Sequence, residues 1–117
     1  LLWRTEQMRP QGAWAIVTGA FDRKLRACMA QMDREADALG RAAFGLGQIA
    51  ILCAIGQIEF RFPGSRWRDA FPALAAWYAR MADRSSVAAT LPEDDPSPTA
   101  PPPGFDGSVS PIDFLGP

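Results

Sequence analysis

The sequence contains no histidine among its 117 residues. This absence excludes catalysis by a Ser-His-Asp or Cys-His arrangement, and it excludes every metal site that depends on imidazole ligands. Only two cysteines are present, Cys28 and Cys53, and both fall in apolar helical stretches. They are too few for a disulfide framework. We interpret them as small buried side chains of a cytoplasmic protein, where thiols stay reduced.

A long uninterrupted apolar run is also missing. The most apolar stretch, residues 45–60, is shorter than the roughly 20 residues that a membrane-spanning helix needs. Nothing at the N-terminus is typical of a signal peptide, so we expect no membrane partner. The chain begins with Leu1 rather than Met and enters a helical pattern directly, which indicates a domain cut from a longer protein.

Basic residues are missing from the last part of the chain. Residues 93–117 contain seven of the eleven prolines and five of the 13 acidic residues, but no Lys or Arg. All 12 basic residues lie in residues 1–92, whose formal charge is about +4. We expect a disordered, acidic, Pro-rich tail in which apolar residues such as Phe114 dock only transiently.

The basic body does not indicate a nucleic-acid partner. Four basic residues, Arg23, Lys24, Arg26 and Arg34, lie on a predicted amphipathic helix, where charges normally meet solvent, and Asp33 lies on the same helix. No Lys/Arg-rich run or aromatic platform accompanies them, and those are the features expected of nucleic-acid binding.

The apolar residues that are present repeat at the helical period. From Trp14 to Leu39 they recur every three or four residues, which predicts one helix of about seven turns that ends before Gly40. Trp77 belongs to a similar stripe in the last helix, whose first turn begins at Pro72 and which ends at two serines. The sequence therefore predicts an all-α fold, a helical bundle.

Residues 45–60 differ from these stripes because they are apolar nearly all round. This pattern predicts a helix in the centre of the bundle. Its capping box is half complete, because Gln48 can reach back to the backbone while Gly45 has no hydroxyl. Gly56 should weaken the helix by roughly 1 kcal/mol, which a close helix crossing there would explain.

Several short runs follow one another in a fixed order and together resemble the C-terminal, all-helical domain of bacterial glutathione S-transferases. The runs are Leu46-Gly47-Gln48-Ile49-Ala50, Ile58-Glu59-Phe60-Arg61-Phe62-Pro63, Trp67-Arg68, Phe71-Pro72-Ala73-Leu74-Ala75-Ala76-Trp77, Arg84-Ser85-Ser86 and Ala89-Thr90-Leu91-Pro92. The resemblance covers residues 1–92, with a truncated first helix, and leaves residues 93–117 as the tail. The motif positions are Gly45, Gln48, Arg61, Trp67, Pro72, Trp77, Arg84 and Thr90. We assign Trp67, Trp77 and Arg61 to the core and its edge rather than to chemistry, because a tryptophan stripe at helical spacing is usually packing.

The helix cap and the end of the last helix depart from the family pattern, at three positions in all. Gly45 and Gln48 replace the usual Ser or Thr and Asp of the helix cap, and Ser85 replaces a proline after the last helix. We expect each change to lower local stability by about 1 kcal/mol.

The resemblance implies a division of labour. In this family a thioredoxin-like domain precedes the helical domain, binds glutathione and activates its thiol. The helical domain supplies much of the substrate pocket and part of the dimer interface. The chain is thus expected to be the substrate-side domain of a homodimeric detoxifying transferase that uses glutathione as co-substrate. Alone it should bind no glutathione, hold no metal, carry no catalytic residue and be inactive.

The same resemblance implies that the first helix lines the substrate cleft, with Trp3, Arg4 and Met8 as the expected pocket residues. The alternative is that Trp3 and Met8 only pack and Arg4 only meets solvent. Two other readings of the whole chain stay open: a non-catalytic helical module that binds proteins, and a truncated gene product whose tail follows a frameshift.

Overall fold

The computed structural model describes residues 2–9, 11–94 and 113–116, without the side chains of Trp3 and Arg4. These residues form helices and no strand, so the predicted all-α class is confirmed. In chain order the helices are α1 (Leu2–Gln7), α2 (Ala15–Arg34), α3 (Ala36–Arg41), α4 (Leu46–Arg61), α5 (Trp67–Ala70), α6 (Pro72–Ala82) and α7 (Ser85–Ala88).

The long helix predicted from Trp14 to Leu39 is interrupted. α2 ends at Arg34, Glu35 adopts φ −94° and ψ 2°, and α3 begins at Ala36. Gly40, predicted to follow the helix, lies inside α3, which ends at Arg41. The periodicity misses the break because the apolar residues continue in nearly the same phase on both sides of it.

The buried stripe of α2 and α3 is also shifted from the prediction. Met29 is fully buried and Ala36 is 3% exposed, whereas Cys28 is exposed and Trp14 is 62% exposed. Neighbouring residues of a helix point about 100° apart, so the side of α2 that packs on α6 takes Met29 and turns Cys28 outwards. The prediction of a buried Cys28 is therefore wrong.

α6 supplies the centre of the core. Leu74 and Trp77 are fully buried, and Tyr78 is 4% exposed. Trp67 of α5 is buried as well, and its ring meets the Tyr78 ring edge-on with 5.7 Å between centroids. The packing role predicted for Trp67 and Trp77 is confirmed, since such buried aromatic pairs contribute both area and geometry to a core.

The N-terminus of α6 is capped from another helix. Pro72 is the first helical residue, as predicted, because its missing N–H would have no helical partner there. Two residues later the backbone N–H of Leu74 donates to Asp33 Oδ1 at 2.8 Å. Asp33 was predicted to lie on a solvated face. It instead ties α2 to α6, and its negative charge suits a helix N-terminus.

α4 carries two stripes of opposite exposure. One side is buried in the core and contains Gln48, Leu52, Ile55, Gly56 and Ile58. The other side is exposed, and we call it the open stripe: Leu46, Ile49, Ala50, Cys53, Ala54 and Gln57. The prediction that α4 is buried all round is wrong for the open stripe. The prediction of a buried Cys53 is wrong with it, because Cys53 is exposed on this side.

The start of α4 has the predicted half capping box. The backbone N–H of Gly45 donates to Gln48 Oε1 at 3.1 Å, while Gly45 has no side chain to complete the pair. A Cβ at Gly56 would lie 3.6 Å from Tyr78 Oη and 3.7 Å from Pro92 Cδ. Tyr78 of α6 and Pro92 therefore pack beside this glycine, but at ordinary contact distances that do not require a glycine.

Four residues near the C-terminus pack against the helices. Phe114 is 7% exposed and belongs to the core, and the backbone of Asp113–Gly116 forms a tight turn held by a hydrogen bond from Gly116 N to Asp113 O at 3.1 Å. The sequence predicted a disordered tail, and for these residues the structure differs. The tail residues 95–112 and 117 lie outside the described residues.

Candidate functional site

A cavity of about 340 Å³ opens between α4, α6 and the segment that begins with α7. Ile49 and Cys53 bring the open stripe of α4 to its wall. The opposite wall comes from α6 and the residues from α7 onwards. Most of the lining is apolar, and the other lining residues are Phe44, Leu52, Gly56, Gln57, Tyr78, Ser86, Val87, Thr90, Leu91 and Pro92. A cavity of this size and polarity fits a small apolar molecule.

The Tyr78 phenol and the Thr90 hydroxyl of the cavity do not suit thiol activation. Burial is the main cause that raises the pKa of Tyr78, and the nearby Glu59 carboxylate raises it further. A phenol that stays protonated in this way offers no negative charge or base at neutral pH. Glu59 itself forms an ion pair with Arg68 at 2.5 Å. The Thr90 hydroxyl donates to the backbone carbonyl of Ser86 at 2.9 Å, so it is engaged within the wall.

Two of the motif residues, Arg84 and Arg61, do not line the cavity themselves. The Arg84 guanidinium stacks over the Phe44 ring at 3.9 Å from its centroid, and Phe44 lines the cavity. Arg84 is also the residue before α7, so the two serines predicted to end the last helix instead begin a new one. Arg61 is exposed, lies over the Phe60 ring at 4.3 Å and pairs with Asp94 at 3.3 Å.

The first helix is joined to α2 by a buried carboxylate. Glu6 is 7% exposed and accepts hydrogen bonds from Arg9 and from the backbone N–H of Trp14, the latter at 3.0 Å. These bonds, that from Arg9 first, lower the pKa of Glu6. The Arg9 guanidinium lies 4.7 Å from the centroid of the Trp14 ring. Glu6 thus links α1 to the start of α2 through hydrogen bonds, a role that the apolar pattern of α1 did not indicate.

The expected pocket residues lie in or beside α1. Met8 is half-buried just after the helix. Trp3 and Arg4 are part of α1, and their side chains lie outside the described residues. The described lining of the cavity comes instead from residue 44 onwards. The assignment of Trp3, Arg4 and Met8 to a substrate pocket stays a prediction.

The sequence analysis did not find the cavity. Its walls combine both sides of α4 with residues 86–92, and a helix that is apolar all round does not indicate which side is left open. The one available signal was Thr90-Leu91-Pro92, which belongs to the ordered series and lies on the wall.

Two kinds of site are absent from the described part of the chain. No group of three or more Cys, Asp or Glu side chains there is placed to hold a metal ion. None of its helices is long and apolar enough to cross a bilayer.

The helical architecture and the order of its motifs agree with a comparison against protein families. The sequence profile of the family described as glutathione S-transferase, C-terminal domain, matches residues 11–80. This match covers more than half of the chain, from before α2 into α6, and the chain belongs to that family. Neither the curated proteins nor the solved structures give a match.

Proposed function

We propose that the chain is the substrate-side domain of a glutathione transferase, which conjugates glutathione to small electrophiles or reduces them with it. The observation that carries this proposal is the open stripe of α4 together with the cavity beside it, in a chain of this family. An apolar stripe on an exposed helix face is typical of an interface with a partner. The partner proposed here is a thioredoxin-like domain that binds glutathione and is encoded before Leu1.

The chemistry of the cavity supports this division. Conjugation needs a group that stabilises the glutathione thiolate and donors for the carboxylates of the tripeptide. The cavity has apolar walls and a Tyr78 phenol whose pKa is raised, so it suits the electrophile rather than the thiol. In this proposal glutathione is the co-substrate of the whole transferase and is not bound by this chain alone.

The remaining features of the proposal follow from the same assignment. We place the transferase in the cytoplasm, because the two exposed thiols, Cys28 and Cys53, are unpaired and would be prone to oxidation elsewhere. A homodimer that detoxifies electrophiles is the assembly proposed for the complete protein.

The two exposed thiols provide a direct test. Cys53 lies on the cavity wall, whereas Cys28 lies on α2 and serves as the control within the same molecule. A nitrobenzene without a leaving group should slow the alkylation of Cys53 by iodoacetamide and leave the rate at Cys28 unchanged. Mass spectrometry of the peptides measures both rates. Equal rates at Cys53 with and without the ligand would count against the cavity as the electrophile site.

The activity itself is tested on the isolated chain. We expect no conjugation of glutathione to an aryl halide above the uncatalysed rate, and no heat of glutathione binding by calorimetry. Turnover by this chain would show that it carries its own thiol-activating group and would overturn the proposal.

A second candidate function rests on the same open stripe, which would equally serve a non-catalytic helical module that binds a protein. The coding sequence upstream of Leu1 separates the two. A strand-rich thioredoxin-like segment with a cis-proline turn favours the transferase, and a start codon just before Leu1 favours the module.

A further inference from the structure

The C-terminal residues Asp113–Gly116 meet the helical body through a set of contacts that resembles peptide recognition. We propose that Arg26, Ser65, Arg66 and Phe71 form a binding site for an Asp-Phe-x-Gly turn, and that residues 113–116 of the same chain are its ligand. The proposal does not depend on the transferase function, because none of these four residues lines the cavity.

The aromatic ring of the segment is held on two sides. Phe114 is 7% exposed and meets the Phe71 ring in an edge-to-face contact with 5.5 Å between centroids. The Arg26 guanidinium lies 5.7 Å from the centroid of the same ring. A ring held between an aromatic edge and a cation is more specific than one in a plain apolar groove, because both contacts depend on the face and edge of a π-system.

The backbone of the segment is recognised as well. Phe114 N donates to the Ser65 carbonyl at 2.9 Å. Arg26 donates from one terminal nitrogen to the Phe114 carbonyl at 3.1 Å and from the other to the Asp113 carbonyl at 2.8 Å. Main-chain pairing of this kind gives a peptide site affinity that does not depend on sequence, while side-chain pockets select the sequence.

The Asp113 carboxylate supplies the selective charge. Arg66 donates to it through Nε at 3.0 Å and through a terminal nitrogen, the paired geometry in which arginine binds carboxylates most strongly. Arg66 has φ 50° and is the only non-glycine residue of positive φ in the described chain. A left-handed residue of this kind is costly and often marks a functional position. Here it stands next to the Ser65 carbonyl that Phe114 uses.

The segment folds into a compact turn that fits these contacts. Asp113 Oδ1 accepts from Leu115 N at 3.0 Å, and the Asp113 carbonyl accepts from Gly116 N. A Cβ at Gly116 would lie only 3.3 Å from the Asp113 carbonyl oxygen, so glycine is the residue that suits this position. Asp at the first and Gly at the fourth position are also the preferred residues of a common β-turn. The ligand is therefore defined by its sequence as well as by its place in the chain.

Binding of a free peptide tests whether the turn is a separable ligand. The peptide spans residues 110–117 with a fluorescent label at its N-terminus, and its receptor is the full chain carrying Phe114→Ala, whose own segment is weakened. Fluorescence anisotropy should show saturable binding. The wild-type chain should bind the same peptide at least about tenfold more weakly, because its tethered segment competes at a high effective concentration.

Controls assign the binding to the site. A peptide carrying Phe114→Ala should not bind. Adding Arg66→Gln to the receptor should lower the affinity by about two- to fivefold, because the pair between Arg66 and Asp113 is partly exposed to solvent. Lys24→Ala, an exposed change on the same helix as Arg26, should leave the affinity unchanged. A second receptor, Asp113→Lys, releases the segment by charge repulsion from Arg66 without removing the buried ring.

Three results would overturn the proposal. The first is no saturable binding to either receptor when circular dichroism shows that it is folded. The second is equal binding of the wild-type peptide and the Phe114→Ala peptide. The third is loss of the fold in both receptors, because the segment would then be an integral part of the core rather than a ligand.

Discussion

Two apolar surfaces of this domain differ in their exposure to solvent. The surface at Phe71 is covered by Phe114 from the chain's own C-terminal segment, whereas the open stripe of α4 is exposed. The covered surface is bordered by Arg26 and Arg66, which bind the segment's backbone and carboxylate. The open stripe contains no charged residue. Directional polar contacts can hold a short segment in place, whereas an apolar stripe without them needs the area of a larger partner.

The surface at Phe71 and the open stripe differ in how specifically they bind a partner as well as in the area they offer. A four-residue turn buries little surface, and its position depends on hydrogen bonds that fix its register. α4 offers Leu46, at 84% exposure, and Ile49, at 43%, one turn apart on the same side. Such a stripe attracts any complementary apolar face, and its selectivity must come from the shape of the partner and of the cavity beside it.

The largest expected effect concerns the covered surface. Phe114→Ala should lower the free energy of unfolding by about 2–3 kcal/mol, since it removes a buried aromatic side chain. Urea denaturation followed by tryptophan fluorescence measures the change. Leu115→Ala is the matched control, because Leu115 is the next residue and is 47% exposed. Its effect should stay within about 0.5 kcal/mol. Equal effects of the two changes would mean that Phe114 does not contribute as a buried side chain.

A smaller effect of opposite sign is expected beside the open stripe. Gly56→Ala should raise the free energy of unfolding by about 1 kcal/mol, because alanine is the better helix former and its Cβ would meet Tyr78 and Pro92 at ordinary contact distances. The same denaturation experiment measures it. Gly47→Ala, in the exposed first turn of α4 with no neighbour within 4 Å, is the control. Only Gly56→Ala should also reduce the binding of an apolar ligand to the cavity, and a loss of stability would show that the site is more crowded than described.

Acidification should weaken the contacts that the Asp113 and Glu6 carboxylates make. It should not affect the open stripe, which contains no charged residue. The Arg66 guanidinium lowers the pKa of the Asp113 carboxyl, and hydrogen bonds from Arg9 and Trp14 lower the pKa of Glu6. Both groups therefore stabilise the fold fully above their unfolded pKa values, near 3.8 for Asp and 4.5 for Glu. That contribution is lost as the pH falls through the lower folded values.

Unfolding free energies between pH 7 and pH 3 measure this loss. Asp113→Asn and Glu6→Gln should each make the decline with falling pH less steep than in the wild type. A decline that is unchanged in both variants would assign the acid sensitivity to other carboxylates.

Much of the helical fold was predictable from the sequence, because helix periodicity depends on neighbours three and four residues apart. Trp67 and Trp77 were expected in the core and lie there. Gln48 was expected to cap α4 and does so. The family could also be inferred, because the ordered motifs of residues 46–92 are conspicuous without a structure.

The features that the sequence did not reveal are mainly those that depend on contacts with a distant part of the chain. Asp33 looks like one charge of a solvated face until Leu74, 41 residues later, donates to it. Phe114 lies in a short Pro-rich segment without a helical repeat, so no periodicity indicates that it is buried. The Asp-Phe-Leu-Gly turn sequence was the available signal. The open stripe was missed for the opposite reason, since an all-round apolar helix gives no contrast between its sides.

The smallest expected effect on stability is at the open stripe, where one substitution should change association without changing the free energy of unfolding. Leu46→Glu should change the free energy of unfolding by no more than about 0.5 kcal/mol, because Leu46 is 84% exposed and an acidic residue suits the first turn of a helix. We expect the isolated chain to self-associate through its exposed apolar surface. Leu46→Glu should reduce this association, measured by analytical ultracentrifugation, since a charge within the stripe opposes apolar contact. Ile16→Glu is the matched control: Ile16 is 87% exposed in the first turn of α2, away from the stripe. If Ile16→Glu alone reduced association, the surface that meets a partner would lie at the start of α2 and not along α4.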